Sequence, residues 1–548
     1  MISATSARRA AKSVGWRGGP LLAIPLAVAL ALAGCGPDRQ EAMALADKAQ
    51  QELDAGNASD AFLTINRAIR QQDDVADLYL LKARIALAAG RPVEVFQAYR
   101  QAVELEPTNV DALRGLAQIA FQLGRSDDAE RTVTQLMAQS PADPTARLVK
   151  GLLALARCRP ETALELADQI LANNSADEGG MVLKTRALFA LNRDQAARAS
   201  LDEASRRLGN SFGLSLTRLE MDRTLADAPA VKADFVALRR LQPRNADLAV
   251  QQVNFLYKTG DPAGARREAV GLLRSGVLQG DGLDRMARLW REYDPAPLAP
   301  ADLADLASRG PRPVRIMAAQ HYLEVGQGAP AVALIAGLDG SDVAGITARA
   351  QLLMGQPREA ELTAQRVLAK DKTQCDALLA LAGTNLAAGR REEASARAED
   401  ATGECPRLWP AYVVMADANS TSVPQLDRVT AAALDAAPQN GVLARALAQR
   451  WLSRGQANRA VALVRRVTRS APALVSGWVL LQELCPKSGD AACAAEAARG
   501  LALARRLYMI DPLPGQPPLL GGGAIGCRAV GAPAAGQVNR SRSSTAPI

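Results

Sequence analysis

A 34-residue stride in the placement of small, large and turn-forming residues constrains this chain more than any other feature. In the segment 76–109 the fifteenth residue is Gly90 and the thirty-second is Pro107, and one stride later these places hold Gly124 and Pro141. The phase holds without a gap through seven consecutive repeats, which begin at residues 42, 76, 110, 144, 178, 212 and 246. Such a period is typical of repeat proteins in which each unit packs on its neighbours.

The residue types within one stride predict two amphipathic helices joined by a turn. Small residues at the eighth and twentieth places allow the helices to approach closely, glycine at the fifteenth place ends the first helix, and proline near the thirty-second stops the second. The rhythm breaks after residue 280 and returns from residue 312, with further units beginning near 312, 341, 375, 409, 441 and 475. The unit at 409–440 is degenerate, with Asn419 to Ser422 in place of the usual turn.

These features resemble the tetratricopeptide family over about residues 42 to 510. The resemblance implies an all-α fold, a right-handed superhelical α-solenoid of about 12 to 13 helix hairpins. The sequence then predicts a signal peptide at 1–34, a lipid-anchored linker at 35–41, an N-terminal array at 42–280, an irregular connector at 281–311, a C-terminal array at 312–510 and a disordered tail at 511–548. For that tail a natural flexible end and a frameshift in the gene both remain open.

The family resemblance also implies where partners bind. In this family the first helix of each repeat lines the concave face, at the second, fifth, ninth, twelfth and thirteenth places. In this sequence the resulting candidate groove residues are Arg84, Arg114, Gln118, Phe121, Arg186, Phe189, Asn254 and Tyr257. Aromatic anchors and arginine hydrogen bonds suit a peptide or helix of another protein. The pair Leu80 and Arg84 departs from the lysine and asparagine of the carboxylate-clamp subtype, so capture of an acidic C-terminus is not expected.

The N-terminus has the layout of an export signal. Four basic residues precede an apolar run from Pro20 to Leu32 that is too short to span a bilayer comfortably. The sequence Leu32 to Cys35 resembles the lipobox of bacterial lipoproteins, which implies cleavage before Cys35 and lipidation of its thiol. The following Gly36 implies the outer membrane, with the protein facing the periplasm. An ordinary signal peptide with a coincidental cysteine is the alternative.

Charge and cysteine content are consistent with the expected location in the periplasm. Removal of the four basic residues of the signal lowers the formal net charge from +8 to +4, so nothing indicates a nucleic-acid partner. In an oxidising compartment, Cys375 could pair with Cys405 across the ends of one hairpin, and Cys485 with Cys493 across a turn. Alternatively, each is a small buried apolar residue. Cys158 and Cys527 have no obvious partners.

No motif indicates catalysis or a cofactor. The chain has one histidine, His321, which we expect to pack within a hairpin or lie on the surface, and it lacks the ligand spacing of a zinc site. The sequence therefore predicts a scaffold that binds other proteins and not an enzyme. Long alanine-rich repeat lipoproteins of this kind are similar to those of the PEP-CTERM and exosortase systems, which implies exopolysaccharide production or surface-protein sorting. A pilotin-like factor for a secretin or type IV pilus is the alternative, and an enzyme with an unrecognised site is a third.

Overall fold

The structure is a computed structural model and describes residues 37–510, with side chains described for 39–505. The predicted signal peptide, the lipidation site Cys35, Cys527 and the predicted tail lie outside the described residues. Residues 37–510 form 28 α-helices and no strand, which confirms the all-α class and is consistent with an α-solenoid. These helices make 14 successive pairs, more than the 12 to 13 hairpins expected, because the stretch 281–311 also contributes two helices.

The chain divides into two compact units after Val149, whereas the sequence placed the break between arrays at 281–311. The helices that lie wholly in unit 1 are α1 (Pro37–Asp54), α2 (Ala58–Gln71), α3 (Ala76–Ala88), α4 (Pro92–Leu105), α5 (Val110–Gln122) and α6 (Ser126–Gln139). The next helix, α7 (Pro144–Ala156), spans the division. Helix α1 begins inside the predicted linker 35–41, because Pro37 is well suited to the first turn of a helix.

Unit 2 contains the remaining hairpins. Those up to residue 335 are α8 (Pro160–Asn173), α9 (Glu178–Ala190), α10 (Asp194–Leu208), α11 (Phe212–Thr224), α12 (Ala228–Leu241), α13 (Ala246–Lys258), α14 (Pro262–Ser275), α15 (Asp281–Tyr293), α16 (Pro300–Arg309), α17 (Arg312–Glu324) and α18 (Gly328–Ile335). The others are α19 (Ser341–Leu353), α20 (Pro357–Leu368), α21 (Cys375–Ala387), α22 (Arg391–Glu404), α23 (Trp409–Ala418), α24 (Val423–Ala436), α25 (Gly441–Ser453), α26 (Ala457–Ser470), α27 (Val475–Ser488) and α28 (Ala491–Ile510).

The predicted irregular connector 281–311 contains two regular helices, α15 and α16, joined by residues 294–299. Helix α15 packs against α13 and α17, and α16 packs against α18, so these two helices continue the stacking within unit 2. Pro300 stands at the start of α16, where its missing N–H costs no hydrogen bond. The prolines therefore mark a helix start and the segment between the two helices. They do not interrupt the stacking.

Alanine makes close stacking of the hairpins possible. The eighth-place residues Ala49, Ala83 and Ala117 have no exposed surface, and neither do Ala61 and Ala129 at the twentieth place. A larger side chain at these helix crossings would overlap its neighbour, since protein interiors are close-packed. The expected role of the small residues is therefore confirmed in both helices of the repeat.

The fifteenth residue of the repeat is in the left-handed conformation, and in most repeats it is glycine. Gly90 has φ +67° and Gly124 has φ +71°. Three consecutive repeats of unit 2 carry a side chain at this place, with Cys158, Asn192 and Ala226 at φ 56° to 58°. Asparagine tolerates this region better than alanine does, and a left-handed alanine costs about 1 kcal/mol.

Replacing Ala226 by glycine is expected to stabilise unit 2 by about 1 kcal/mol, because glycine adopts the left-handed region without steric cost. The midpoint of urea unfolding, followed by tryptophan fluorescence, should rise. Ala228→Gly in the following helix is the matched control and should lower the midpoint, because glycine weakens a helix. A lower midpoint for Ala226→Gly would contradict the strain assigned to this turn.

Candidate partner-binding face

In unit 1 the first-helix face remains open to solvent. Arg84 and Gln118 at the ninth place are exposed, and Leu80 and Phe121 are half-buried. Leu87, at the same place as Phe121 in the preceding repeat, keeps 63% of its surface exposed. Leu87 was not among the predicted groove residues, although its place in the repeat indicates this position. Exposed apolar residues beside an arginine are suitable for contact with another protein.

Arg114 is held by acidic neighbours of its own chain. Its Nε donates to Asp143 Oδ2 at 2.8 Å, and one terminal nitrogen donates to Asp111 at 3.0 Å. Asp143 also accepts the backbone N–H of Ala146 through Oδ1, so it serves as the N-cap of α7. Arg114 therefore joins two successive repeats, and its guanidinium is not free to bind a partner. Arg84 forms no ion pair among the described residues.

In unit 2 the predicted groove residues are buried, which corrects the expectation that they line an open groove. Arg186 and Asn254 keep only 9% and 8% of their surface exposed, and Phe189 and Tyr257 are equally enclosed. Arg186 donates from a terminal nitrogen to Glu220 at 2.8 Å, 34 residues along the chain. Burial raises the pKa of Glu220, and the charge of Arg186 opposes that shift.

Arginine–carboxylate pairs between consecutive first helices are a recurring feature of unit 2. Beyond Arg186 and Glu220, they are Asp247–Arg285, Arg291–Glu324, Arg312–Asp342, Arg349–Asp376, Asp417–Arg450 and Arg445–Glu483. Each pair joins one repeat to the next, because first helices of adjacent repeats lie side by side. These pairs were not predicted from the sequence, although an acidic residue about one stride away from an arginine indicates several of them.

Tyr257 packs into the junction with the next hairpin. Its ring stacks on Tyr293 with centroids 5.5 Å apart, and its hydroxyl donates to Asp294 Oδ2 at 3.1 Å. Arg266 donates to both oxygens of Asp294, at 2.6 Å and 2.8 Å. Asp294 itself is 2% exposed and also accepts the N–H of Ala296. This network fixes the loop that follows α15, so Tyr257 has a structural role.

A carboxyl pair lies in the core between α11 and α12. Burial, together with the negative charge of Asp222, raises the pKa of Asp234 to about 7. Arg198 donates to Asp222 at 2.8 Å. Two carboxyls in a buried site cannot both ionise at low cost, so Asp234 holds a proton near neutral pH.

The histidine of this chain, His321, is buried and has a packing role. His321 is 1% exposed between Trp290 and Tyr322, with ring centroids 5.4 Å and 5.6 Å away, and burial lowers its pKa to about 4. His321 is therefore neutral and packs between its own helix α17 and the neighbouring α15. Among residues 37–510 no group of three or more His, Cys, Asp or Glu side chains could hold a metal ion. In the same residues, no helix combines the length and apolar character needed to cross a membrane.

Both candidate cysteine pairs are joined in the structure. Cys375 and Cys405 are bonded with Cα atoms 6.2 Å apart, at the start of α21 and just after the end of α22. Cys485 and Cys493 are bonded with Cα atoms 5.4 Å apart, across the turn between α27 and α28. Cys158 is disulfide-bonded as well, which corrects the expectation that it has no partner.

Comparisons with known proteins identify the repeat. Two tetratricopeptide repeat models match, one at residues 46–110 and the other at 86–153. Curated proteins gave no match to the sequence. Tetratricopeptide folds are generally non-catalytic scaffolds that bind other proteins, so the matches indicate a protein-interaction scaffold.

Solved structures resemble the chain only in part. The structure of pilF from Pseudomonas aeruginosa is 18% identical and covers 38% of this chain and 95% of its own, with a TM-score of 0.30. A thermophilic TPR protein of Thermus thermophilus is 19% identical and covers 33% of this chain and 99% of its own, with a TM-score of 0.31. PilW, a type IV pilus biogenesis factor, is 15% identical and covers 37% of this chain and 94% of its own, with a TM-score of 0.31. At these TM-scores the likeness carries no argument about function. The chain is thus an all-helical protein whose residues 46–153 carry tetratricopeptide repeats.

Proposed function

We propose that this chain is a lipid-anchored scaffold on the periplasmic face of the outer membrane, and that it binds partner proteins in envelope export or assembly. Within that role, exopolysaccharide production or surface-protein sorting is the favoured process. The observation that carries the proposal is the open first-helix face of unit 1. There Arg84 forms no ion pair with a residue that the structure describes, and Leu87 and Phe121 leave apolar surface at successive twelfth places. In two repeats of unit 2, by contrast, the twelfth-place residues Phe189 and Tyr257 are buried.

The chemistry of this face favours a helical or extended protein segment. Leu87 and Phe121 lie one stride apart on neighbouring first helices, so two apolar side chains of a partner can contact them in turn. Arg84 lies three residues before Leu87 on α3 and can donate to a carboxylate or a backbone carbonyl of the partner. The lipobox-like sequence ending at Cys35 supports anchoring at a membrane, since acyl chains attached there would hold the face close to envelope components.

Replacing Leu87 by glutamate and Phe121 by alanine is expected to abolish partner capture and leave the fold intact. The double change removes both apolar anchors of the face and adds a charge there, and neither side chain is fully buried. The measurement is crosslinking in cells that express the tagged full-length protein, followed by purification from the outer-membrane fraction and mass spectrometry. Partners of the wild type should fall at least about tenfold in yield, the effect of losing one interface hot spot.

Leu63→Glu is the matched control, because Leu63 is 61% exposed but lies on the second helix α2. It should capture the wild-type set of partners. A Cys35→Ala variant should be absent from the outer-membrane fraction, and its presence there would contradict the anchor. Glycosyltransferases or sorting proteins among the partners would support the favoured process, while a secretin or pilus subunit would support the pilotin-like alternative. Unchanged capture by the double variant would show that this face is not the binding surface.

A further inference from the structure

Helix α27 is tied back to α15 by hydrogen bonds between residues 184 positions apart. The backbone N–H of Ser476 donates to Glu292 Oε1 at 3.2 Å, and the Ser476 hydroxyl donates to Oε2 at 2.8 Å. Ser476 lies in the first turn of α27, and the N-cap residue Leu474 offers no side-chain acceptor. A carboxylate at a helix N-terminus satisfies a free N–H and interacts favourably with the helix dipole. Glu292 is therefore the cap of α27.

The contact is closely fitted. Burial raises the pKa of Glu292, and the two hydrogen bonds from Ser476 oppose that shift. Gly441, the first residue of α25, lies against the same group, and a Cβ atom there would overlap the Ser476 hydroxyl oxygen. Helices α15, α25 and α27 thus meet at one point, which we call the latch, defined by Glu292, Gly441 and Ser476.

The hairpin held by the latch covers two first helices of unit 2. Helix α28 contacts both α11 and α13. In α13 every residue from Leu248 to Tyr257 is buried, whereas an amphipathic helix packed on one side only would keep a polar face in water. The first-helix face of these repeats, the counterpart of the open face in unit 1, is therefore closed.

This covered face is polar and incompletely satisfied. Gln251 and Asn254 lie one helical turn apart on α13, with 6% and 8% of their surfaces exposed. Among the described residues, no donor reaches the buried Gln251 Oε1 or Asn254 Oδ1. A buried carboxamide oxygen without a donor costs free energy, so the residues that enclose α13 do not satisfy these two groups.

We propose that the face of α11 and α13 is a second protein-binding surface, that the α27–α28 hairpin is its removable cover, and that the latch holds the cover in place. The matching partner is a helical segment that donates hydrogen bonds to the two carboxamide oxygens, as arginine and lysine side chains can. The inference rests on the proposed function, in which first-helix faces bind proteins. The disulfide between Cys485 and Cys493 joins the two helices of the cover, so they move together.

Glu292→Ala in the full-length protein tests the latch by hydrogen exchange measured with mass spectrometry. Loss of the cap should accelerate exchange about five- to tenfold in peptides from α27, α28 and α13, the size expected for an N-cap, and leave α19 to α21 unchanged. In a second readout, a thiol introduced by Asn254→Cys should react with a maleimide faster in the Glu292→Ala background than in the wild-type background.

Glu483→Ala is the matched control. Glu483 also lies on α27 and pairs with Arg445 of α25, but both side chains are half-exposed and contribute little. This variant should exchange like the wild type. Unchanged exchange in Glu292→Ala, or equal acceleration throughout unit 2, would contradict the proposal that the latch holds the α27–α28 hairpin as a removable cover. Because partner capture by Leu87 and Phe121 of unit 1 does not involve the latch, failure of one proposal is distinguishable from failure of the other.

Discussion

Replacing Asp294 by alanine is expected to lower the free energy of unfolding of unit 2 by about 2 to 4 kcal/mol, because charge-assisted hydrogen bonds contribute more than neutral ones and a buried donor is left without an acceptor. The change removes the acceptor of the Tyr257 hydroxyl and of the Arg266 guanidinium in a site where the carboxylate is 2% exposed. The loop after α15 then loses its main polar anchor.

Tryptophan fluorescence during urea unfolding measures this effect on unit 2 alone. Every tryptophan from residue 37 to 510 lies in unit 2, and Trp290, fully buried, is four residues before Asp294. Asp294→Asn should cost less, since its amide oxygen still accepts from Tyr257. Asp302→Ala, which removes a partly exposed carboxylate beside Arg274, is the control and should change stability little. A wild-type midpoint for Asp294→Ala would contradict the assigned role of this network.

Replacing Asp234 by asparagine is expected to make the stability of unit 2 less dependent on pH. The folded-state pKa of Asp234, about 7, is above its ordinary value of 3.8, so the folded protein holds a proton that the unfolded chain releases. The free energy of unfolding of the wild type should therefore fall as pH rises from about 4 through about 7. A pKa difference of about 3 corresponds to at most about 4 kcal/mol.

Asparagine remains neutral at every pH, so the variant should be more stable than the wild type by about 2 to 4 kcal/mol at pH 8 and by less than half as much at pH 5. Urea midpoints measured at pH 5, 6.5 and 8 test this. Asp202→Asn is the matched control, because Asp202 is exposed and pairs with Arg218 nearby. It should keep the pH dependence of the wild type. Parallel curves for Asp234→Asn and the wild type would show that Asp234 is ionised in the folded state.

The two predictions concern groups that the repeat pattern did not reveal. Asp294 follows α15 within the predicted irregular connector, and Asp234 lies on the second helix of an ordinary repeat. A position within a stride indicates whether a residue faces another helix. It does not indicate which polar side chain of the neighbouring hairpin contacts that residue, because this contact depends on how two repeats pack against each other.

The sequence by itself determined the local structure of this protein. The 34-residue stride predicted helix pairs, close packing at the small residues and the glycine that ends each first helix. Each of these depends on residues within one hairpin, where spacing along the chain implies proximity. The register also placed Cys375 beside Cys405, and the structure joins them. Ala226, at the fifteenth place of its repeat, adopts the same left-handed conformation as the glycines of other repeats, because the hairpin requires a turn there.

Only the tertiary structure decided which first-helix residues are available to a partner. Arg114 and Arg186 occupy groove places, yet one is ion-paired within its own unit and the other is buried against Glu220. The division after Val149 and the contact of Glu292 with Ser476 likewise have no local signature. Such contacts join residues up to 184 positions apart, and a pattern that repeats every 34 residues carries no information about which distant repeats meet.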